Sequence, residues 1–237
     1  MKRLYWLSLI LIFLAAACAG PAAVEPAVEE EVGDTAVSTG SGQTVSTTAE
    51  NDTVAYTDDE AGFSITLPAG WTIAEGSNEA VAQMRSTVGV DNVLTDAYVQ
   101  ALLASGLQLY ALNGAAPSLG SDVPVSIQII RRDAPTSLSL DEYVADTTKQ
   151  LEDILELTSP LEQSTVMLGD DEAVQLRYTK QAQTAAGSKA EVHNTQYYLM
   201  NGSDLYIITL EMEQGLVDDY LVVGETAVET FQLTSGG

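Results

Sequence analysis

Alternation of apolar and polar residues is the main structural signal in this chain. Residues 63–67 and 174–179 alternate in this way, which is the pattern of a β-strand with one buried face. The second face of 174–179 is expected to lie toward solvent or under a helix. Residues 201–204 begin with Asn-Gly between two apolar runs and predict a tight hairpin. The predicted strands are 63–67, 71–73, 107–112, 123–130, 174–179, 192–200 and 205–210.

Apolar residues at helical spacing predict three helices. The clearest begins at Leu140, because Ser139 and Glu142 have the spacing of a capping box, and it ends before Pro160. A second is predicted between Asp91, its candidate N-cap, and Gly106 at its C-terminal end.

The third predicted helix spans 217–231. Gly224 lies in its middle and lowers helix stability by about 1 kcal/mol relative to Ala. The register of residues 75–106 stays open. Long antiparallel strands with helices at separated positions predict an α+β fold, in which an antiparallel sheet is covered by helices.

Residues 1–17 have the parts of a secretory signal peptide. A basic pair precedes a largely apolar run at 4–14, which is too short for a membrane span of about 20 residues. The alanines before Cys18 resemble a bacterial lipobox, although Ala15 stands where the lipobox prefers Leu. Cleavage after Ala17 by a general signal peptidase is the alternative.

Cys18 is the only cysteine in the chain, and it stands at the predicted cleavage boundary. This position favours the lipoprotein interpretation. We therefore predict that Cys18 is acylated and that two or more acyl chains anchor the mature protein stably. The protein is then extracytoplasmic and bound to the cell membrane or the outer membrane.

Residues 18–53 are predicted to form a disordered tether. They contain Pro, Gly, Ser, Thr and seven acidic residues but no aromatic or basic residue, so they cannot found a hydrophobic core. The folded domain is predicted to span 54–233.

Composition excludes several classes of function. The net charge of -25 would repel phosphates, so nucleic acid is excluded as a partner. One Cys and one His exclude a disulfide framework and a Cys/His zinc site. No nucleotide-binding glycine motif is present, and no cofactor is predicted.

Residues 56–71, with the sequence YTDDEAGFSITLPAGW, resemble the opening hairpin of PsbP-like and DcrB-like domains. The later order is also similar, with a helix beginning at 140–143, a strand meander and a closing helix that ends at 229–233. The resemblance implies an antiparallel sheet between helical layers and a non-catalytic accessory or assembly role. It transfers no functional residue, and 75–106 is longer than the family usually has there.

Three acidic clusters, at 58–60, 170–172 and 218–219, are the candidate cation ligands. Paired carboxylates can hold a hard cation, but these clusters lie at predicted turns, where Asp is favoured for backbone reasons. Solvated surface is therefore the favoured interpretation, and the metal-binding residues stay unassigned.

His193 is the only imidazole, and on a strand it shares a face with Thr195 and Tyr197. No motif of a hydrolase accompanies it, so no residue is assigned a catalytic role. Ten tyrosines could supply a binding surface, and Tyr197 or Tyr198 is a candidate for it, because adjacent strand residues face opposite sides.

These observations predict a lipid-anchored, extracytoplasmic accessory protein of the cell envelope that binds a protein partner or an envelope component without catalysing a reaction. The first alternative is a divalent-cation-binding protein of the calcium type that uses the acidic clusters. The second is an unrecognised hydrolase centred on His193.

Overall fold

The structure, a computed structural model, describes residues 43–48, 53–90, 94–184 and 187–234. Its strands are β1 (Gln43–Thr48), β2 (Thr53–Asp58), β3 (Phe63–Pro68), β4 (Trp71–Glu75), β5 (Leu107–Asn113), β6 (Ser126–Asp133), β7 (Glu162–Leu168), β8 (Asp171–Gln183), β9 (Lys189–Asn201), β10 (Asp204–Glu213) and β11 (Gln232–Leu233). Its helices are α1 (Asn78–Val88), α2 (Asp96–Ala104), α3 (Ala116–Leu119), α4 (Leu140–Ile154) and α5 (Val217–Glu229), with a 3₁₀ helix at Gln214–Leu216.

The strands form two antiparallel sheets. The larger has seven strands in the order β4-β5-β6-β10-β9-β8-β7, and the smaller has four in the order β1-β2-β3-β11. Asn201 pairs with Asp204 at the end of the β9–β10 hairpin, and Gly202 in the turn has a φ of 60°. The hairpin predicted at 201–204 is confirmed, because only a residue such as Gly accepts this φ without strain.

The large sheet is covered on both faces. Helix α4 packs on one face through Tyr143, Val144 and Leu151, and α1 and α2 pack beside it on the same face. The small sheet and α5 cover the opposite face, where Phe63 and Phe231 stack at a centroid distance of 5.5 Å. The predicted α+β fold, an antiparallel sheet covered by helices, is therefore confirmed.

Capping side chains set where the helices begin. Ser139 and Glu142 form the predicted capping box at α4, since each side chain accepts a hydrogen bond from the backbone amide of the other residue. Helix α2 begins at Asp96 instead of near Asp91, because Thr95 Oγ1 accepts the Tyr98 amide at 3.3 Å. The predicted N-cap at Asp91 is therefore wrong, and Asp91 itself lies outside the described residues.

Further elements differ from the sequence prediction. Strand β6 begins at Ser126 and not at Val123, because Pro124 has no amide hydrogen for the sheet ladder. Helix α1 is an additional element, started by Ser77 and ended by Gly89 in the left-handed conformation. Strand β7 is an edge strand whose residues are mostly exposed, so it lacks the alternation that marks a half-buried strand.

Strand β1 lies within the segment 18–53 that was predicted to be a tether. It pairs with β2 from Gln43 opposite Asp58 to Thr48 opposite Thr53. Its sequence, QTVSTT, is rich in β-branched residues, which favour strands. The described sheet structure therefore begins at Gln43. The rest of the predicted tether, the signal peptide and Cys18 lie outside the described residues. No helix within the described ranges is long and apolar enough to cross a membrane.

Candidate functional site

A cleft of about 980 Å³ lies on the helix-covered face of the large sheet, between α2 and α4. The loop 133–138, which joins β6 to α4, closes one side of it. This volume is within the range of sites that hold drug-sized ligands. Its apolar walls come from the sheet, both helices and the loop, through Leu102, Ile130, Leu138, Leu151, Leu155 and Ile207.

The floor of the cleft is polar, although it lies in the middle of the sheet. Strand pairing places Gln128, Thr209 and Gln196 side by side on β6, β10 and β9. Gln128 and Thr209 are almost fully buried, so the floor is shielded from bulk water. A second row, two residues further along these strands, consists of Ser126, Glu211 and Asn194, and it continues to Tyr178 on β8.

Hydrogen bonds link this floor to its surroundings. Gln128 Nε2 donates to the Tyr98 hydroxyl at 3.0 Å and so joins β6 to α2. The Tyr198 hydroxyl donates to Gln196 Oε1 at 2.7 Å, and Gln196 Nε2 donates to Thr209 Oγ1 at 3.4 Å. Amide and hydroxyl groups both donate and accept, so this floor can hydrogen-bond a polar group of either kind.

Lys180 and Glu211 form an ion pair beside this floor, with Nζ 3.2 Å from Oε2. Burial raises the pKa of the Tyr98 and Tyr178 hydroxyls far above the usual value, and the charge of Glu211 raises both further. These tyrosines therefore stay protonated at neutral pH and act as hydrogen-bonding groups.

Arg132, at the end of β6, lines the mouth of the cleft opposite α4. Its guanidinium lies over the Tyr143 ring at 5.4 Å from the centroid and donates a hydrogen bond to the Tyr143 hydroxyl. Burial lowers the pKa of Arg132, but a guanidinium remains charged at any physiological pH. The cleft therefore has a fixed positive charge at its mouth.

His193 lies on the other face of the large sheet. On β9 the cleft residues are Gln196 and Tyr198, and strand alternation turns His193 away from them. Thr195 shares its face as predicted, with Oγ1 3.3 Å from His193 Nε2. Burial, followed by the charge of Arg177, lowers the pKa of His193. His193 is therefore not part of the cleft.

The two candidate tyrosines, Tyr197 and Tyr198, lie on opposite faces of the large sheet. Tyr198 lines the cleft, whereas Tyr197 is buried in the core beneath the small sheet and α5. Burial, followed by the charge of Glu225, raises the pKa of Tyr197 to about 12. Of the two, only Tyr198 is placed to contact a ligand in the cleft.

The acidic clusters serve local structure. Asp58 accepts the Ala61 amide at 2.8 Å and so closes the β2–β3 turn. Residues 170–172 lie at the β7–β8 turn, and 218–219 are exposed in the first turn of α5, where the helix dipole favours carboxylates. Within the described ranges, no group of three His, Cys, Asp or Glu side chains could hold a metal ion.

The cleft could not be predicted from the sequence. Its signal in the sequence is a polar residue between apolar ones, such as Gln128 between Ile127 and Ile129, or Thr209 between Ile208 and Leu210. Alternation of this kind is typical of a solvent-exposed face. Only the positions of α2 and α4 turn that face into the floor of a cleft.

Solved structures of similar fold include cyanobacterial PsbP (CyanoP) from Synechocystis sp. PCC 6803, with a TM-score of 0.51 and 13% identity over 79% of this chain and 97% of that chain. LpqN, involved in cell envelope biogenesis of Mycobacterium tuberculosis, has a TM-score of 0.49 and 11% identity over 73% of this chain and 83% of its own. No protein-family model matches the sequence, and no curated protein matches it. The likeness to cyanobacterial PsbP shows a PsbP-like fold and confirms the fold that the resemblance implied.

Proposed function

We propose that this chain is a lipid-anchored, extracytoplasmic accessory protein of the cell envelope that binds an amphipathic envelope component in the cleft between α2 and α4, without catalysing a reaction. The observation that carries the proposal is the combination of apolar walls with a buried polar floor in one cleft of about 980 Å³. The signal peptide and Cys18 support the location.

The chemistry of the floor favours binding. Tyr98 and Tyr178 are held in the protonated form, and Lys180 is paired with Glu211. His193, the residue of the hydrolase alternative, lies on the opposite face. Groups of this kind orient a ligand through hydrogen bonds, while the leucine and isoleucine walls bury its hydrocarbon part at about 25 cal/mol per Å².

The cation-binding alternative has no comparable support. In the described ranges Asp58 closes a turn, the cluster 170–172 lies at another turn, and 218–219 lie in the first turn of α5. None of the three clusters lines the cleft. An amphipathic envelope component is therefore the proposed ligand in preference to a cation.

Closing the cleft tests this proposal. Thr147 lines the cleft from α4, so Thr147→Trp should fill it, whereas Ala145→Trp places the same ring on the exposed side of that helix. Both changes are made in the predicted mature chain, residues 18–237 with Cys18→Ser, so that neither the signal peptide nor a lipid is present and no detergent is needed. Binding of decanol, followed by isothermal titration calorimetry, should be lost in Thr147→Trp and kept in Ala145→Trp. Equal binding by both variants would overturn the proposal, and so would a parent chain that binds neither decanol nor its anionic analogues decanoate and decyl phosphate.

A further inference from the structure

The described part of the chain contains seven of the nine Lys and Arg residues, and five of them form ion pairs with carboxylates. The pairs are Arg85–Asp96, Arg131–Asp204, Arg177–Glu225, Lys180–Glu211 and Lys189–Glu156. The other two are Lys149 and Arg132. Lys149 is exposed on α4, where water solvates its charge.

Arg132 differs from all the others. It is half-buried and lines the cleft, yet within residues 43–48, 53–90, 94–184 and 187–234 no carboxylate oxygen comes within ion-pair distance of it. Its neighbour is the Tyr143 ring, whose face attracts a cation but does not neutralise it. The net charge of the chain is -25, so carboxylates outnumber basic residues by far. A half-buried arginine that pairs with none of the described carboxylates is therefore an unusual feature of this protein.

The other charged groups that line the cleft leave the space at Arg132 open to an anion. Asp133 and Asp146 are exposed at the rim, where water screens them. Lys180 is already paired with Glu211. The guanidinium has five N–H donors, and the Tyr143 hydroxyl accepts from one of its two terminal nitrogens. The remaining donors can hold a carboxylate or phosphate group.

We propose that Arg132 binds the anionic head group of an amphipathic ligand whose hydrocarbon chain lies against the apolar walls of the cleft. This inference rests on the proposed function and specifies its ligand as an amphiphile with a carboxylate or phosphate head. Leu138 and Ile130 line the cleft with Arg132, so head and chain fit one continuous site.

The test compares three probes of equal chain length, each below its aggregation concentration: decanoate, decyl phosphate and decanol. The predicted mature chain, residues 18–237 with Cys18→Ser, should bind at least one of the anions about 10- to 100-fold more tightly than decanol, as expected for hydrogen bonds to a charged group. Preference for decanoate identifies a carboxylate ligand, and preference for decyl phosphate identifies a phosphate ligand.

Arg132→Gln should reduce the ratio of anion affinity to alcohol affinity to about one. Lys149→Gln, which makes the same change in net charge on the exposed side of α4, should keep the ratio of the parent chain. If circular dichroism shows that Arg132→Gln does not fold, Arg132→Lys replaces it. This variant should lower the ratio at least threefold, because lysine lacks the planar guanidinium that binds an anion through two hydrogen bonds.

Three outcomes separate the two proposals. A parent chain that binds decanol as tightly as both anions, or an Arg132 variant that keeps the full ratio, would overturn the role of Arg132 and leave the cleft as a binding site. Failure of all three probes to bind would overturn the proposed function itself.

Discussion

Lys180 Nζ and Glu211 Oε2 lie 3.2 Å apart, and their side chains are only 4% and 10% exposed. The pair joins β8 to β10 across the strand between them, beside the polar floor of the cleft. The charge of Glu211 also contributes to the raised pKa values of Tyr98 and Tyr178. This ion pair therefore joins two strands of the sheet and adds a negative charge to the surroundings of both tyrosines.

Lys180→Met should lower the free energy of unfolding by about 3–5 kcal/mol, because Glu211 is left as a buried charge without its partner. Urea denaturation at neutral pH measures this loss. Adding Glu211→Leu should restore most of it, since no buried charge then remains. Lys189→Met is the control: its pair with Glu156 is 64% and 66% exposed, and its loss should cost less than about 1 kcal/mol. Equal losses of unfolding free energy in Lys180→Met and Lys189→Met would contradict the conclusion that burial makes the Lys180–Glu211 pair the more important one.

Ser139→Ala should lower the free energy of unfolding by about 1 kcal/mol, because α4 loses its N-cap side chain. Hydrogen bonds from the Ser139 amide and hydroxyl lower the pKa of Glu142. The stability that Glu142 contributes is present above the pKa of the unfolded chain and is lost as the pH falls through the folded pKa. In the variant, a carboxyl titration followed by NMR should show the Glu142 pKa closer to its usual value. Ser137→Ala, on an exposed residue, should change neither quantity.

Gly224→Ala should destabilise the protein by about 1–3 kcal/mol, although alanine is the better helix former. A Cβ at this position would lie 2.6 Å from Leu210 Cδ1, and Leu210 is fully buried on β10. Gly215→Ala is the matched control, because nothing lies within 4 Å of the Cβ there. Thermal unfolding measures both variants. A stabilised Gly224→Ala variant would show that α5 can move away from β10 at little cost.

His193→Ala should leave the fold and decanol binding intact, because His193 faces away from the cleft. The folded pKa of His193 is lowered, so its charged form is disfavoured in the native state. Stability in the parent chain should therefore fall as the pH drops below about 6.5, the pKa in the unfolded chain. The variant should show a smaller fall in urea denaturation between neutral and mildly acidic pH. Loss of the biological role in a folded, correctly localised variant would favour the hydrolase alternative.

Cys18→Ser should release the protein from the membrane fraction or leave it unprocessed. The reason is that serine cannot carry the thioether-linked lipid on which the predicted anchor depends. Cell fractionation with a high-salt wash, followed by mass spectrometry of the N-terminus, measures the result. Normal processing together with retention on the membrane would rule out lipidation at Cys18.

Several features could be predicted from local sequence because their causes are local. Ser139 and Glu142 are three residues apart and form the capping box with their own backbone. The hairpin at 201–204 depends on Gly202 in the turn. The alternation at 174–179 marks the apolar face of β8, but Gln175 and Thr179 on its other face are buried as well. The sequence misplaced the N-cap of α2, because Asp91, Asn92 and Thr95 are all acceptable N-cap residues by composition.

The remaining features depend on contacts between residues of different elements. From the sequence, Gly224 is only a residue that weakens a helix. The structure explains why glycine is needed there, because a Cβ would collide with Leu210 on β10. Arg132 and Tyr143 could not be paired from the sequence, since the loop between β6 and α4 determines their approach.

The sequence by itself determined the charge, the single cysteine and the α+β class, and it predicts the signal segment, because these follow from composition and from periodicity within short stretches. Only the tertiary structure decided that Gln128, Gln196 and Thr209 lie on a sheet face covered by helices instead of a solvent-exposed one. It also decided that His193 lies on the opposite face of the sheet. The physical reason is that alternation shows that two faces differ but not what covers each of them. That depends on where α2 and α4 pack, which is a property of the whole sheet.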